Sequence, residues 1–219
     1  PGISKENSYL NFGGQYTGRR FSSVLDFENI GKNYYADMGF VQRIENYDAL
    51  RDTIIRVGTK FIFNENTYRI FPKTNKKINQ HNLRLENFYA VNPDNTFNES
   101  SSEFSYGIDF QSTASIGVGF SIEQTKLLFP TSFTGGTPLP AARYKYNGAG
   151  IEYESDKRKK LSYSASFGAG QFYNGDIVQA EAGIIFRHQP WITVELNAEY
   201  NKLSFPAPYG SADLFLLAN

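Results

Sequence analysis

The residues best suited to acid–base chemistry in this chain are its two histidines, His81 and His188. A histidine can activate a serine nucleophile, so a lipase-type Ser–His pair is one candidate chemistry. His188 lies in RHQPW, where a polar residue next to Pro190 is typical of a turn, and His81 shares its parity with Leu83 and Leu85. No serine partner or oxyanion hole can be assigned, and we therefore predict no catalytic residue and no enzymatic activity.

Paired carboxylates are the second candidate chemistry, because a glycosidase uses two of them. Glu195 and Glu199 lie four residues apart. On one strand this spacing places them roughly 13 Å apart, which is too far for either glycosidase geometry. Glu181 lies nearer if it faces them across a hairpin. We favour the alternative that these glutamates form a row of charges along a hydrated surface.

Ligand-binding patterns are weak elsewhere in the chain. Asn92–Glu99 (NPDNTFNE) offers oxygen donors for calcium, but it lacks the EF-hand spacing and its residues are common in turns. The glycines of GVGF and GAGQFY lie inside alternating segments with no following helix, so they do not form phosphate loops. The run Asp156–Lys160 (DKRKK) is basic and is typical of a solvated turn. We predict no metal site and no cofactor.

The elements that must position these residues are predicted by a regular alternation of side chains. In Glu103–Glu123 (EFSYGIDFQSTASIGVGFSIE), apolar residues occupy one parity, and glycine, small polar and acidic residues occupy the other. A period of two indicates β-strand with one apolar and one wet face. The cluster Gln111–Thr113 predicts a turn that pairs Phe110 with Ala114 and Ile108 with Ile116, and a single long strand is the alternative.

The same alternation recurs along the whole chain. It predicts an all-β fold, an antiparallel meander of about ten strands plus a truncated one, in a single region covering residues 1–219. Besides the two strands of Glu103–Glu123, the predicted strands are Tyr9–Thr17, Phe21–Asn29, Asp52–Phe63, Gln80–Val91, Arg143–Glu154, Leu161–Phe172, Asp176–Phe186, Ile192–Leu203 and one that begins at Ser211.

Composition excludes some classes of protein but does not exclude a membrane protein. With 22 basic and 22 acidic residues the chain has no net charge that would attract nucleic acid. It has no cysteine, hence neither disulfides nor thiolate metal sites. No run of eighteen apolar residues predicts a transmembrane helix, but a spanning strand needs only about 9–11 alternating residues. The chain begins at Pro1 without a signal-peptide pattern, which we interpret as a mature piece or a fragment.

Both a soluble β-barrel and a transmembrane β-barrel fit alternation, and the strand lengths, connections and aromatic residues favour the second. Predicted connections alternate between short ones (18–20, 111–113, 155–160, 187–191) and long ones (30–48, 92–102, 127–142), with 64–78 as an exception. Aromatic residues gather near strand ends, as in an interfacial girdle, namely Tyr106, Tyr144, Tyr146, Tyr153, Tyr163, Phe172, Tyr173, Phe186, Trp191 and Tyr200.

The two faces of the predicted barrel wall differ in residue type. Residues expected to face the lumen are charged, namely Arg56, Lys60, Arg84, Asp109, Glu123, Glu152, Glu154, Glu181, Glu195 and Glu199. Residues expected to face lipid are apolar, namely Phe110, Ile116, Val118, Phe120, Phe167, Ile184, Val194 and Leu196.

Several short segments resemble one family of membrane barrels. They are YYADMGFVQR (Tyr34–Arg43), PLPAARYKY (Pro138–Tyr146), YESDKRKKLS (Tyr153–Ser162), GQFYNG (Gly170–Gly175), His188–Trp191 and AEYNKLSFP (Ala198–Pro206). In order and spacing they resemble the C-terminal outer-membrane β-barrel of a Bacteroidota family of unknown function, which usually follows a domain similar to family 9 carbohydrate-binding modules. None of these segments is a catalytic signature.

The resemblance implies a place in the cell outer membrane of a Gram-negative bacterium. It also implies that the carbohydrate-binding-like domain and a final hairpin are absent from this chain, which would leave the barrel incomplete. Our first expectation is a non-enzymatic, porin-like barrel for uptake or glycan association. A structural subunit that docks other outer-membrane proteins and a barrel enzyme acting on lipid or glycan are the alternatives. Expected partners are the lipid bilayer with its lipopolysaccharide, and then a glycan or other outer-membrane proteins, but no nucleic acid.

Overall fold

The computed structural model describes residues 6–35 and 44–218 of the chain. Part of the family-like segment Tyr34–Arg43, residues 36–43, therefore lies outside the described residues. The described part is all-β, and it contains no helix able to span a membrane. Its strands are β1 (Tyr9–Thr17), β2 (Phe21–Ile30), β3 (Glu45–Asp48), β4 (Thr53–Arg56), β5 (Thr59–Ile70), β6 (Ile78–Val91), β7 (Phe97–Phe110), β8 (Ser115–Lys126), β9 (Arg143–Glu154), β10 (Leu161–Phe172), β11 (Gly175–His188), β12 (Ile192–Ser204) and β13 (Ser211–Ala218).

Eleven of these strands form one antiparallel meander, which confirms the predicted fold class. The sheet order is β1-β2-β5-β6-β7-β8-β9-β10-β11-β12-β13, and β3 and β4 form a separate hairpin. Every strand of the large sheet pairs with its neighbour along the chain, apart from the inserted hairpin, so β1 and β13 are its two edges. Because consecutive strands alternate in direction, these two edge strands run the same way.

The predicted turn after Phe110 is present. Phe110 donates its N–H to the Ala114 carbonyl at 2.9 Å, and Ile108 pairs with Ile116 as the alternation predicts. Thr113 takes a positive φ of 67°, which lets the chain reverse within four residues. The long alternating stretch is therefore two strands and not one.

One predicted strand, Asp52–Phe63, is wrong as a single element. The structure divides it into β4 and β5 at Val57 and Gly58. A Cβ on Gly58 would lie 2.8 Å from the carbonyl oxygen of Ile30, so the two backbones approach more closely there than any other residue allows. Alternation continues through this break in the sequence, which is why the pattern did not reveal it.

The connections fall at two ends of the sheet. The turn end carries residues 18–20, 71–77, 111–114, 155–160 and 189–191, and the loop end carries 31–58, 92–96, 127–142, 173–174 and 205–210. The predicted exception at 64–78 shortens to seven residues, because β5 continues to Ile70. The predicted long loop 92–102 shortens as well, since β7 begins at Phe97.

The sheet has very little apolar core. Among the described residues the buried apolar ones are few, namely Ile30, Ile44, Ala90, Ala114, Leu139 and Tyr146. Large apolar side chains stand exposed along the strands instead, with Phe12 at 75% and Val118 at 46% exposure. Most large apolar side chains of the described strands therefore do not form a buried core.

Candidate functional site

The register sorts the strand residues onto two faces of the large sheet. We call the face that carries Arg84, Glu152 and Glu181 the polar face, and the face that carries Val118 and Ile184 the apolar face. Antiparallel partners point to the same side of a sheet, so each cross-strand pair assigns both of its residues at once. Glu152 and Glu181, for example, both pair with Ser166 and thus lie on one face.

The predicted lipid-facing residues all lie on the apolar face. The pairs Ile116 with Tyr153, Phe167 with Ala180 and Leu196 with Ile184 set this side in β8 to β12. The other members, all of the same parity on their strands, are Phe110, Val118, Phe120 and Val194.

Most of the predicted lumen-facing residues lie together on the polar face. Residues of β5 to β11 together line one partly open cavity of about 1060 Å³, so the sheet curves with its polar face inside. Of the predicted lumen-facing residues, those that line this cavity are Arg84, Asp109, Glu123, Glu152 and Glu181. Four of the predicted lipid-facing residues also border it, namely Ile116, Val118, Phe120 and Phe167. Glu154, Glu195 and Glu199 share the face outside that lining, opposite Ser164, Ile185 and Glu181 respectively.

Arg56 does not lie on this face, because it is not a residue of the large sheet. It belongs to the small β3–β4 hairpin, where its guanidinium pairs with Glu45 at 2.6 Å. It also donates to the carbonyls of Lys32 at 2.9 Å and Tyr34 at 2.6 Å, and it stacks over the Tyr35 ring at 4.6 Å. The strand break at Gly58 removes Arg56 from the sheet. Arg56 instead holds together segments of the loop end.

Lys60 is also misassigned. It lies at the start of β5 on the side of Ile62, whereas Glu65 on the polar face has the opposite parity. Its ammonium donates to the Pro93 carbonyl at 3.1 Å and to Asn95 Oδ1 at 2.8 Å. Lys60 therefore fastens the 92–96 turn.

The polar face is strongly acidic, although the chain as a whole is neutral. Among the described strands of the large sheet, three arginines lie on it (Arg69, Arg84 and Arg187). Thirteen carboxylates share the same face, namely Asp26, Glu28, Glu65, Glu86, Glu99, Glu103, Asp109, Glu123, Glu152, Glu154, Glu181, Glu195 and Glu199.

Some of these carboxylates are neutralised, and others are not. Arg84 bridges Glu65, at 2.8 Å, and Glu86. Asp109 accepts hydrogen bonds from Gln80 at 2.8 Å and Asn82 at 2.9 Å. In contrast, Glu181 lies directly opposite Glu199 in the register, and neither has an ion pair among the described residues. Like charges placed opposite each other in a sheet are destabilising, so this arrangement suits a face exposed to water and mobile cations.

Glycines leave room at the centre of this face. Gly107 pairs with Gly117, and Gly150 pairs with both Gly119 and Gly168. The space above Gly119 is open, because a Cβ built there would meet no atom within 4 Å. The middle of the cavity is therefore bounded by backbone, with the carboxylates around it.

At the loop end, aromatic side chains cover the polar face. The Phe133 ring from the long loop (residues 127–142) packs on Phe172 at 5.3 Å and on Tyr173 at 4.7 Å between centroids. Tyr146, paired with Glu123, contacts the same rings and is buried. We call Phe133, Tyr146, Phe172 and Tyr173, with Phe205, the aromatic cluster.

Further contacts fix the long loop in place. Thr134 Oγ1 donates to the Tyr209 carbonyl at 2.6 Å, and the Ala49 N–H donates to the Pro130 carbonyl at 3.0 Å. The long loop is thereby joined to the 205–210 loop and to the β3–β4 hairpin. Burial among these rings raises the pKa of Tyr173.

The predicted aromatic girdle is therefore partly wrong. Tyr144, Tyr146 and Phe172 lie on the polar face, because they pair with Thr125, Glu123 and Gly175. Their parity could have shown this from the sequence, since Tyr146 shares it with Gly148. Tyr106, Tyr153, Tyr163, Phe186 and Tyr200 do lie on the apolar face.

Of the side chains considered as catalytic groups, His81 has a hydrogen-bond partner and His188 lies at a turn. His81 lies on the apolar face, where its Nδ1 hydrogen bonds with the Tyr106 hydroxyl at 2.7 Å. The His188 carbonyl accepts from the Trp191 N–H at 2.9 Å and closes a turn. Glu181 is indeed closer to Glu199 than Glu195 is, as a direct cross-strand neighbour.

The possible calcium loop is closed by its own side chains. Asn92 donates to Thr96 Oγ1 at 2.9 Å, and Thr96 donates to Asp94 at 2.7 Å. These Thr96 hydrogen bonds hold the pKa of Asp94 below its usual value. The Lys60 ammonium binds the same turn through Asn95. Over the described residues, no group of three or more His, Cys, Asp or Glu is arranged to hold a metal ion.

Comparisons with family models, with curated proteins and with solved structures find no match to this chain. The family resemblance described above stays a prediction, and functional inference rests on the residues themselves.

Proposed function

We propose that this chain forms a wall of a non-enzymatic outer-membrane β-barrel, whose acidic polar face lines a water-filled passage for solutes. One observation carries the proposal: the large sheet exposes bulky apolar side chains on one face and gathers carboxylates and glycines around a cavity on the other. A transmembrane barrel needs this arrangement, with lipid outside and water inside.

The small apolar core argues against a soluble protein. A soluble β-barrel buries its apolar residues between or inside sheets, whereas Phe12, Val118 and Phe167 are 75%, 46% and 51% exposed. Full burial of such a side chain is worth about 1.5–3 kcal/mol, and a half-exposed one forgoes roughly half of that. Contiguous apolar surface of this extent marks contact with a membrane or a partner.

The strands suit a bilayer in length and direction. Those between the edges of the sheet have 10 to 14 residues, at or above the length that spans a tilted bilayer. The edge strands β1 and β13 run in the same direction, so an antiparallel barrel that contains this sheet requires an odd number of additional strands. Such closure would also provide hydrogen-bond partners for the backbone N–H and C=O groups of the two edge strands, because lipid cannot provide them.

The passage would favour cations and small neutral solutes. Carboxylates outnumber arginines on the polar face, and rings of acidic side chains select for cations. The aromatic cluster narrows the loop end, so solutes would meet a constriction there. Association with a glycan rests only on the family resemblance and adds one candidate class of solute.

Spin labels at single introduced cysteines test this proposal, and these 219 residues contribute no cysteine of their own. The complete natural protein would be reconstituted with a nitroxide at Val118 or Ile184, and at Gly119 or Glu181. We expect oxygen, which concentrates in lipid, to reach the first pair, and a water-soluble nickel chelate to reach the second. Protection of Val118 and Ile184 from both reagents would mean a protein-covered face and would overturn the proposal.

A second candidate is an assembly subunit with a closed lumen, and the packing of Phe133 on Phe172 and Tyr173 favours it. Conductance separates the two. An open passage gives steady ion current in a planar bilayer, whereas a closed subunit inserts and gives none.

A further inference from the structure

The turn end of the sheet is densely basic. Of its five connections, three contain nine cationic residues and one acidic residue, Asp156. The cationic residues are Arg19, Arg20, Lys73, Lys76, Lys77, Lys157, Arg158, Lys159 and Lys160, and all of them are exposed. We call these nine the basic rim.

Most of the basic rim is free to meet a ligand. Arg158 binds Asp156 at 3.0 Å, and Lys157 binds Glu154 at 2.6 Å. The other seven members form no ion pair with a described carboxylate. Such a density of unpaired, exposed cations repels itself and is stabilised by an anionic partner.

The basic rim borders the apolar face directly. Leu161 and Phe186, which pair on that face, are exposed beside the 155–160 turn. Trp191 is 81% exposed in the next turn, and Arg19 lies over the Phe71 ring at 5.2 Å. Apolar and aromatic side chains that end at a row of cations match the depth order of a membrane, in which hydrocarbon gives way to headgroup phosphates.

The loop end offers no comparable density in its connections. The 127–142, 173–174 and 205–210 segments contain no charged residue. The described part of 31–58 contains both signs, and several of these charges pair internally, as Arg56 does with Glu45 and Arg51 with Asp48. The 92–96 segment contains a single charge, Asp94. Among the described connections, the excess of positive charge therefore lies at the turn end of the sheet.

We propose that the basic rim binds the phosphate groups of anionic phospholipids in the leaflet at the turn end, and so sets the depth and orientation of the sheet in the bilayer. This proposal rests on the proposed function, because it places the apolar face in lipid. Each basic side chain near an anionic surface adds attraction that decays within a Debye length, so the effect weakens with salt.

The test measures lipid selectivity directly in reconstituted complete protein. Spin-labelled phosphatidylglycerol and spin-labelled phosphatidylcholine would be compared for the fraction that becomes immobilised at the protein surface. We expect about a fivefold preference for phosphatidylglycerol at low salt, the factor that one cation contributes near an anionic surface. The preference should fall as salt is raised.

Two variants at the same positions make the test specific. In the first, Lys73→Gln, Lys76→Gln, Lys77→Gln, Lys159→Gln and Lys160→Gln remove five charges that have no described partner, and the preference should fall toward parity. In the second, the same lysines become arginine, and the preference should persist. A third variant with Lys126→Gln, Lys145→Gln and Lys202→Gln removes loop-end charges and should retain most of it.

The outcomes distinguish a failure of this proposal from a failure of the proposed function on which it rests. Immobilised phosphatidylcholine with no preference for phosphatidylglycerol would overturn the basic rim as a lipid site and leave the membrane barrel intact. No immobilised lipid of either kind would overturn the barrel itself. The lipid assignment would also be overturned if the five Lys→Gln substitutions abolished binding of a fluorescent DNA duplex but left the lipid selectivity unchanged. The basic rim would then be a site for a soluble polyanion.

Discussion

Thr113 and Asp156 join two turns of the turn end: the Thr113 hydroxyl donates to Asp156 Oδ1 at 3.0 Å across a sequence separation of 43 residues. The same carboxylate accepts from the Arg158 guanidinium at 3.0 and 3.1 Å and from the Arg158 N–H at 3.0 Å. Arg158 and Thr113 hold the pKa of Asp156 well below its usual range. The only carboxylate within the basic turns thus shapes one of them.

This arrangement predicts how the 155–160 turn responds to acid. A carboxyl with a lowered pKa contributes its stabilisation above its ordinary pKa of 3.8, and it loses that contribution only as the pH falls through the lower value in the folded state. A nitroxide at Lys159→Cys should therefore stay immobile from neutral pH down to about pH 4. In Asp156→Asn the label should already be mobile at pH 7. Mobility that rises between pH 6 and 5 in the parent would contradict the assignment.

A pair of neighbouring residues tests the two faces of β8. Val118→Arg places a charge on the apolar face, and it should cost about 2–4 kcal/mol of folding free energy in a bilayer. Gly119→Arg places the same charge over the open space of the polar face, so it should fold nearly normally. Urea titration of both variants in vesicles measures the difference. Equal stability of the two would show that Val118 does not meet lipid.

Glu181 and Glu199 lie opposite each other, so a single substitution at Glu181 should raise stability and lower cation selectivity. Glu181→Gln relieves like-charge repulsion and should raise the free energy of unfolding by up to about 1 kcal/mol. It should also lower the cation preference of the passage, measured as a reversal potential across a salt gradient. Asp213→Asn removes a charge from the apolar side of β13 and is the control for selectivity. A gain in stability with unchanged selectivity would place Glu181 outside the conducting path.

Phe133 predicts how the loop end restricts the passage. Phe133→Ala removes the ring that packs on Phe172, Tyr173 and Phe205, so the long loop should loosen and single-channel conductance should rise. Phe120→Ala removes a ring of the same size from the apolar face and should leave conductance unchanged. If Phe133→Ala instead leaves the current at zero, the assembly-subunit function becomes the better account.

Two glycines in β10 predict a contrast that is independent of any function. A Cβ on Gly170 would lie 2.5 Å from Gly148 Cα, so Gly170→Ala should destabilise the sheet by about 1–3 kcal/mol. The nearest atom to a Cβ on Gly168 is 3.9 Å away, and Gly168→Ala should therefore be tolerated. Thermal unfolding of the two variants measures the contrast. A tolerated Gly170→Ala would mean that β9 and β10 are less closely packed there.

The sequence predicted the meander and both faces, and the reason is local. Alternation of side chains has the same period as the strand backbone, so a run such as Ile116, Val118 and Phe120 assigns its face without any knowledge of the neighbouring strands. The 111–113 turn was predictable for a similar reason, because the shared parity of Phe110 and Ala114 requires an odd number of residues between them and the small polar cluster Gln111–Thr113 marks the turn.

The misassigned residues depended on contacts between distant segments. Arg56 left the sheet because the chain at Gly58 passes the backbone of Ile30, and Lys60 turned to a loop more than thirty residues away. Alternation relates residues that are two positions apart, so it contains no information on contacts between segments that are distant in the sequence.

The distribution of charge was also predicted in part by the sequence and decided in part by the tertiary structure. From the sequence we know that 22 basic and 22 acidic residues cancel, and that acidic residues recur at one parity. Alternation also predicted that these carboxylates share one face and that the 18–20 and 155–160 turns belong together. The register is what removes Arg56 and Lys60 from that face, and the meander is what adds the 71–77 connection to the turn end. Electrostatic fields add in space and not along the chain, so the final placement of these residues in the tertiary structure decides that a neutral sequence forms an acidic face and a basic rim.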